Sequence, residues 1–360
     1  AMQLATYAGW RRAGVPGGLI AGGLFVLPGA FVIAVLATIY VTFGDVPLVD
    51  AMFLGVQATV VAIVIEALIK VAKKAIRRPS DWVVAALSFI AIFALALPFP
   101  LIIAMAALWG AVSSTVPPDT TAPPAPPVPT KDTLRTIAVW LVIWFAPIAV
   151  LFLANTDLLT DIALFFSKLA VVTFGGAYAL LAYMTQTIVT DFGWITTEEM
   201  MDGLGLAETT PGPLILVTQF VGFLAGYNEA GLGLAVLAAL VTLWVTFVPC
   251  FLWIFAGAPY VERMLHMPRL SGALSAITAA VVGVILNLSL WFSAHVVFQQ
   301  IETVATGPFQ FIRPDVASID LLAAAIAVIA AVLILVLKLG IGRTLLAGAA
   351  LGMISLLPIT

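Results

Sequence analysis

Long runs without Asp, Glu, Lys or Arg are the feature that most restricts how this chain can fold. Two of them cover residues 13–44 and 230–261. A helix that crosses the hydrocarbon core of a bilayer needs about 20 mostly apolar residues, and both runs exceed that length. Only 9% of the 360 residues are charged, against about 25% in soluble domains. We therefore predict an all-α integral membrane protein, a polytopic helical bundle. Further charge-free runs are 82–118, 136–156, 169–190, 270–301, 321–337 and 344–358.

The composition also limits the chemistry of the chain. Cys250 is its single cysteine, so an intrachain disulfide and a four-thiolate metal site are excluded, and a role as a small buried hydrophobe is favoured. His266 and His295 lie too far apart in the sequence to indicate a metal site. The nucleotide-binding pattern GxxxxGK[ST] does not occur, which argues against an ATP-driven pump. We expect no metal, no cofactor and no nucleic-acid partner, with the lipid bilayer as the surroundings.

Basic residues set the predicted orientation in the membrane. The densest cluster, at 70–78, contains three lysines and two arginines. Because Lys and Arg are enriched in cytoplasmic loops, we place this cluster inside. Counting spans from it places the acidic loop 44–50 outside and Arg11 and Arg12 inside.

The run 82–118 is interrupted at Pro98 and Pro100. We therefore predict two short spans, roughly 82–97 and 100–115, that return the chain to the inside. If 82–118 is instead one span, the predicted orientation of every later segment is reversed. The Pro-rich residues 116–133 then form a cytoplasmic linker, extended because dense proline favours the polyproline conformation. A spacer is favoured over an SH3-type ligand. The polar stretch 191–208 is predicted to be an inside loop.

Two helix-breaking motifs lie in the second half of the chain. An FGG motif containing Gly175 and Gly176 stands inside an apolar run, and a PGP motif at 211–213 opens the next one. Broken helices are tolerated at membrane depth only where protein or a watery cavity covers the freed backbone groups. In secondary transporters such breaks lie at the substrate site, so the motifs indicate a membrane transporter.

The beginning of the chain resembles its middle. Segment 3–10 aligns with 216–223, and each ends in an aromatic–small–Gly–aromatic pattern followed by glycines and a long charge-free run. On the predicted map the two copies have opposite orientations, as in alternating-access transporters. We therefore predict two inverted repeats with broken helices, and on the order of fifty residues (about two spans) are expected before Ala1. The predicted divisions are 1–115 for the first repeat, 116–133 for the linker and 134–360 for the second repeat.

These motifs resemble the chromate ion transporter family, over the whole chain except the Pro-rich linker. The family pattern in each half is an FGG segment, a Trp-containing loop, PGP, and a segment with Gln and aromatic-x-Gly. The sequence lacks the first copies of FGG and PGP, and Ala177 stands where the family often has a third Gly or Pro. The matching residues are Phe174, Gly175, Gly176, Trp194, 211–213, Gln219 and Gly222 in the second half, and Gln3, Tyr7, Gly9, Trp10 and 27–29 in the first.

The resemblance implies a secondary-active transporter of the plasma membrane that exports chromate and confers chromate resistance. Sulfate, or inorganic oxyanions in general, are the alternative substrates, which the sequence does not separate from chromate. An ion gradient would supply the energy. The oligomeric state stays open, with a homo-oligomer as one alternative.

The predicted site suits a tetrahedral dianion. Helix N-termini offer free N–H groups and the positive end of the helix dipole. Pro213 is compatible with the first turn of a helix, and Thr209 or Thr210 is expected to cap it. Gln3 and Gln219 can donate hydrogen bonds without carrying a charge. The predicted substrate-binding residues are Gly175, Gly176, Thr210, Pro211, Gly212, Pro213, Gln219, Gly222, Gln3, Gly9 and Lys168.

Several polar residues have a simpler explanation beside the functional one. Lys168, inside a span, either supplies a counter-charge or snorkels to the nearer surface. Arg11 and Arg12 either attract the anion at the cytoplasmic mouth or only anchor the topology. The glycines at 175–176 either bind the anion or pack helices. Three acids, interpreted as a solvated loop surface in preference to proton carriers, are Glu198, Glu199 and Glu208.

Two other classes of protein fit the sequence less well. An intramembrane enzyme needs a nucleophile–base pair or a carboxylate pair within the spans, and the motifs GxSxG and HExxH do not occur. We therefore predict no enzyme and no catalytic residues. A structural membrane subunit would not need paired helix breaks in inverted halves, so those breaks count against it.

Overall fold

A computed structural model describes residues 2–44, 46–113, 130–172, 177–210, 212–260, 267–307 and 309–356. The helices are α1 Met2–Phe43, α2 Pro47–Ala75, α3 Pro79–Phe93, α4 Phe99–Ser113, α5 Thr130–Leu153, α6 Asp157–Val172, α7 Ala177–Thr185, α8 Thr197–Thr209, α9 Val217–Ala230, α10 Leu232–Gly257, α11 Pro268–Val297, α12 Leu321–Ala331 and α13 Ile341–Ile354. The strands are β1 Ile301–Thr306 and β2 Phe309–Pro314. Short 3₁₀ segments are Leu214–Leu216, Ala258–Tyr260 and Val316–Ser318, and π-helical segments are Gln186–Phe192 and Val332–Val336.

Five of the described helical stretches are long and apolar enough to cross a membrane. They comprise α1, α2, α5, α11 and Leu232–Tyr260, and they are accompanied by shorter apolar helices that include α3, α4 and α13. The prediction of a polytopic helical membrane protein is confirmed. The run 82–118 holds two helices, α3 and α4, as Pro98 and Pro100 indicated, and Ala96 between them has a φ of 47°.

The predicted linker lies mostly outside the described residues. Its last part, 130–133, belongs to the first turn of α5, whose first residue is Thr130. A helix therefore begins before the predicted boundary at 134.

The chain divides into two compact units, each built from three stretches. The first unit comprises Ala1–Thr38, Ser113–Thr173 and Thr210–Ser271. Within it, α10 packs against α9, α6 and α5. The second unit comprises Ile39–Val112, Phe174–Thr209 and Gly272–Thr360, and within it α2 packs against α13, α12 and α8. Each unit thus takes segments from both predicted repeats.

Two helical hairpins turn on a glycine with the same unusual backbone. Gly14 interrupts α1 with φ 62° and ψ −153°, and Gly231 separates α9 from α10 with φ 75° and ψ −164°. In α1 the chain folds back on itself, because a Cβ on Gly9 would strike the carbonyl oxygen of Gly17. Glycine populates this region because it has no Cβ. The residues before and after Gly14 are therefore two antiparallel helices.

Replacing Gly231 with alanine is expected to destabilise the α9–α10 hairpin. Backbone conformations of this kind cost non-glycine residues about 1–3 kcal/mol. Gly233→Ala is the matched control, because neither glycine has an atom within 4 Å of the Cβ position and only Gly231 has a positive φ. In thermal unfolding of the detergent-solubilised protein, Gly231→Ala should lower the midpoint and Gly233→Ala should not. Equal midpoints would contradict the strain argument.

Small residues form a close seam between α2 and α13 in the second unit. A Cβ on Gly348 would strike the hydroxyl of Thr59 and lie 2.7 Å from the carbonyl oxygen of Gly55. One turn further, a Cβ on Gly352 would strike the carbonyl oxygen of Ala51. Such contacts let helix backbones approach closely where lipid supplies no hydrophobic drive. We name Ala51, Gly55, Thr59, Gly348 and Gly352 the glycine seam.

One connection of the second unit contains a β-hairpin, for which the sequence analysis gives no prediction. Strands β1 and β2 are antiparallel, with Ile301 opposite Pro314 and Thr306 opposite Phe309. The amide of Gln310 also donates to the carbonyl oxygen of Ala94 at 2.9 Å. The hairpin thus meets the break between α3 and α4.

Candidate functional site

Gly212 and Pro213 of the PGP motif, here named the PGP turn, form an irregular segment in the first unit. Gly212 has a φ of 140°, a region open to glycine and strained for other residues. Pro213 is the N-cap of the 3₁₀ segment Leu214–Leu216, which runs directly into α9. The predicted helix start is therefore one residue before the first helical turn, and Pro211 lies outside the described residues.

The predicted cap by a threonine is wrong. Pro213 occupies the cap position, and no side chain hydrogen-bonds there. The hydroxyl of Thr209 instead donates to the carbonyl oxygen of Leu206 at 2.7 Å, so it closes the preceding helix. Thr210 follows Thr209 in the sequence, before the 3₁₀ segment, and it is partly buried.

The PGP turn meets the Pro-Gly step of α1. A Cβ placed on Gly212 would lie 3.5 Å from the Cα of Gly29. Pro28, inside α1, has no N–H and so removes one hydrogen bond of the helix ladder. The amide of Gln219 donates to the carbonyl oxygen of Ala30 at 2.9 Å, and this bond is buried. Two motifs about 190 residues apart in sequence are thus neighbours at a weakened part of α1.

Buried oxygens without a hydrogen-bond partner concentrate in this unit. Among the described residues they are Thr6 Oγ1, Gln219 Oε1 and Thr246 Oγ1 in the first unit and Thr185 Oγ1 in the second. Thr6 is fully buried and Gln219 is 2% exposed. An unpaired buried polar group costs about 1–3 kcal/mol, so such groups call for a water, an ion or a ligand. Hydroxyl groups that have no acceptor can donate to an oxyanion.

Two predicted glycines serve close helix packing. A Cβ on Gly222 would strike the hydroxyl of Thr242 on α10. Gly9 faces Gly17 across the fold of α1. These contacts account for both glycines without a ligand, whereas Gly175 and Gly176 lie outside the described residues.

The predicted polar residues of the first unit differ in their exposure. Gln3 is exposed on α1, and its side chain lies near the thiol of Cys250. Lys168 lies on the exposed face of α6. Arg11 and Arg12 are exposed just before the α1 turn, and Arg11 donates to the Tyr7 hydroxyl at 3.3 Å. Of the predicted donors, Gln219 alone among the described residues is both buried and beside the PGP turn.

The prediction of a loop over 191–208 is wrong for its second part, while the interpretation of a solvated acid is confirmed for Glu198. Residues Thr197–Thr209 form α8, and its residues 200–207 are all buried. Glu199 is a helix-capping residue: the amide of Thr196 donates to its carboxylate at 2.7 Å, and its own amide donates to the Thr196 hydroxyl at 3.1 Å. Glu208 accepts a hydrogen bond from the Tyr178 hydroxyl at 2.7 Å, and Glu198 is exposed.

The most buried acid of α8 was not predicted from the sequence. Asp202 is 6% exposed, and it accepts hydrogen bonds from the Tyr40 hydroxyl at 2.9 Å and from Gln57 Nε2 at 2.6 Å. Its position among the buried residues 200–207 is visible only once α8 is known to be a helix packed on α2. Its partners lie more than 140 residues away in sequence, so no local pattern identifies them.

Comparisons with known proteins agree with the motif resemblance. A family model described as "Chromate transporter" matches residues 1–111 and 160–353. A probable chromate transport protein of Synechococcus elongatus is 29% identical, over 79% of this chain and 68% of the relative. Chromate transport proteins of Cupriavidus metallidurans and Pseudomonas aeruginosa are each 28% identical over 79% of this chain, and over 67% and 66% of the relatives. No solved structure matches.

Proposed function

The chain belongs to the chromate transporter family, and we propose that it is a secondary-active transporter that exports chromate across the plasma membrane. Its five long apolar helices suit a multi-pass membrane protein. The relatives described as chromate transport proteins support chromate as the substrate. Sulfate shares the tetrahedral dianionic form and is the natural competitor.

The observation that carries this proposal is the junction of the PGP turn with α1. Because Gly212 has no side chain, its backbone is uncovered beside Gly29. The side-chain amide of Gln219 donates to the carbonyl oxygen of Ala30 and so holds α9 against α1. The 3₁₀ segment Leu214–Leu216 begins a helix here, and helix N-termini favour anions. We therefore assign the chromate site to Thr210, Gly212, Pro213 and Gln219 of the first unit; the roles of Pro211, Gly175 and Gly176 stay predictions. The site roles of the other predicted residues stay predictions; these are Gln3, Gly9, Gly222, Lys168, Arg11 and Arg12.

We also infer two inverted repeats from reciprocal contacts within the first unit. A Cβ on Gly18 would meet Phe255 at 2.6 Å, and a Cβ on Gly22 would meet Phe251 at 2.6 Å. The later part of α1 and α10 therefore run antiparallel, because ascending numbers on one meet descending numbers on the other.

The two glutamines also have reciprocal neighbours. Gln3 of the first copy lies near Cys250, next to Pro249 of α10. Gln219 of the second copy donates to the carbonyl oxygen of Ala30, close to Pro28 of α1. Such an exchange is what a pseudo-two-fold axis between inverted repeats would produce.

Chromate uptake into inside-out vesicles tests the proposal. Export from the cell becomes uptake into these vesicles, so the wild-type protein should accumulate labelled chromate when the lumen is acidic. Excess sulfate should reduce the uptake if the site recognises tetrahedral dianions in general. Right-side-out vesicles are the control for direction.

Three results would contradict the proposal in different ways. Uptake only into right-side-out vesicles would make the protein an importer. Uptake of neither anion by well-inserted protein would reject oxyanion transport altogether. Strong sulfate uptake without chromate uptake would move the substrate to the sulfate class.

A further inference from the structure

Asp202 is a buried carboxylate with neutral partners. It is 6% exposed in the second unit, and both of its oxygens accept hydrogen bonds, from Tyr40 and from Gln57. Among the described residues it pairs with no Lys, Arg or His. A buried acid without a cation is costly in its charged form, so its position needs a reason.

The charges that act on Asp202 are all negative. Asp50 of α2 and Glu198 of α8 both oppose its ionisation. The other helix that packs on α8 is α13, which has one ionisable residue, Arg343, and that residue is exposed. Burial is the largest cause that raises the pKa of the Asp202 carboxyl, the hydrogen bonds from Gln57 and Tyr40 lower it, the two acids raise it, and together they bring it to about 7. Both charge states are therefore accessible near neutral pH.

The hydrogen-bond geometry suits a proton better than a metal cation. Gln57 directs an N–H at one carboxylate oxygen, and an N–H repels a cation. The described residues contain no cluster of three or more His, Cys, Asp or Glu that could hold a metal ion. The Tyr40 hydroxyl can reverse its role: when Oδ2 gains a proton it donates to the tyrosine oxygen, while Oδ1 still accepts from Gln57.

We propose that Asp202 is the proton-binding group that couples chromate transport to a proton gradient. This inference rests on the transport function proposed above. In each cycle one proton binds to Oδ2 and later leaves, so that proton movement and chromate movement are linked. Tyr40 and Gln57 are positioning residues that hold the carboxyl group in both of its charge states.

The test separates chromate exchange from proton-driven transport. Exchange of labelled for unlabelled chromate across vesicles at equal pH on both sides needs no net proton movement. Asp202→Asn should keep the rate of exchange within about twofold of the wild-type rate. Its uptake driven by a pH gradient should fall at least tenfold, which corresponds to about 1.4 kcal/mol of activation free energy. Glu229→Gln, an exposed acid on α9, is the control and should keep both activities.

Infrared spectroscopy supplies a readout that needs no transport. Protein with isotope-labelled aspartate should show a protonated carboxyl band that titrates near pH 7 and is missing in Asp202→Asn. Tyr40→Phe removes a bond that lowers the pKa, and Glu198→Gln removes a charge that raises it. The midpoint should therefore rise in the first variant and fall in the second, opposite shifts that a purely structural role would not produce.

Each contrary result has a distinct meaning. Gradient-driven uptake that survives in Asp202→Asn, or uptake driven by sodium in the wild type, would overturn proton coupling at Asp202. A carboxyl band that does not titrate would overturn it as well, even if Asp202→Asn fails to fold. Absence of chromate exchange in the wild type would instead reject the proposed transport function, while the infrared titration would still decide whether Asp202 binds a proton.

Discussion

Replacing Gly212 with leucine is expected to reduce chromate uptake at least tenfold while the protein still inserts. A side chain at a φ of 140° costs about 1–3 kcal/mol, and the leucine would fill the gap between the PGP turn and Gly29. Both effects act where we place the anion. Uptake into inside-out vesicles, normalised to the inserted protein, is the measurement.

Gly193→Leu is the matched control for this variant. Gly193 is also exposed and has a φ of 64°, but no atom lies within 4 Å of its Cβ position, and it belongs to the second unit. We expect it to keep most of the uptake. An equal loss in both variants would mean that backbone strain alone lowers activity, and wild-type uptake by Gly212→Leu would remove the PGP turn from the site.

The second large effect is expected from Gly348→Val in the glycine seam. The new methyl groups would collide with Thr59 and with the backbone of α2 at Gly55. Overpacking of this kind costs typically about 1–3 kcal/mol, occasionally more. We expect a sharply reduced yield of monodisperse protein and a lower midpoint of thermal unfolding in detergent.

Gly342→Val provides the comparison within the same helix. Gly342 also lies in α13, but no atom is within 4 Å of its Cβ position. Both variants place the same side chain in α13, and of these two glycines only Gly348 contacts α2, so the difference between them reports chiefly the close contact. If both variants unfold at the same temperature, the seam is not what holds α13 against α2.

The membrane helices were predictable because the apolar composition of a long run is enough to identify it as a membrane helix. A charge-free run longer than the bilayer core has few other stable environments, and Pro98 and Pro100 located the break between α3 and α4. The PGP motif likewise identified an irregular turn, since glycine between two prolines cannot continue a helix. Its neighbour across the unit, Gly29, was not predictable from local sequence.

The polar residues were predicted less well, because a single sequence does not reveal which acids are buried. Glu198, Glu199 and Asp202 are close in sequence, yet one is exposed, one caps a helix and one is enclosed. The difference arises from the packing of α8 on α2. Gly222 is a similar case: its place against Thr242 on α10 gives it a packing role that its motif did not indicate.

The glycine seam also limits which parts of the molecule can move during transport. Gly348 fits between Gly55 and Thr59, and Gly352 fits against Ala51, so each small residue on one helix faces backbone on the other. Because Gly348 and Gly352 are one turn apart, sliding α13 by one turn along α2 would put one glycine in the place of the other and bring a larger side chain into the remaining gap, which close-packed interiors do not accommodate. We therefore expect helices α2 and α13 to move as one body, so that any change of shape during transport leaves the glycine seam intact.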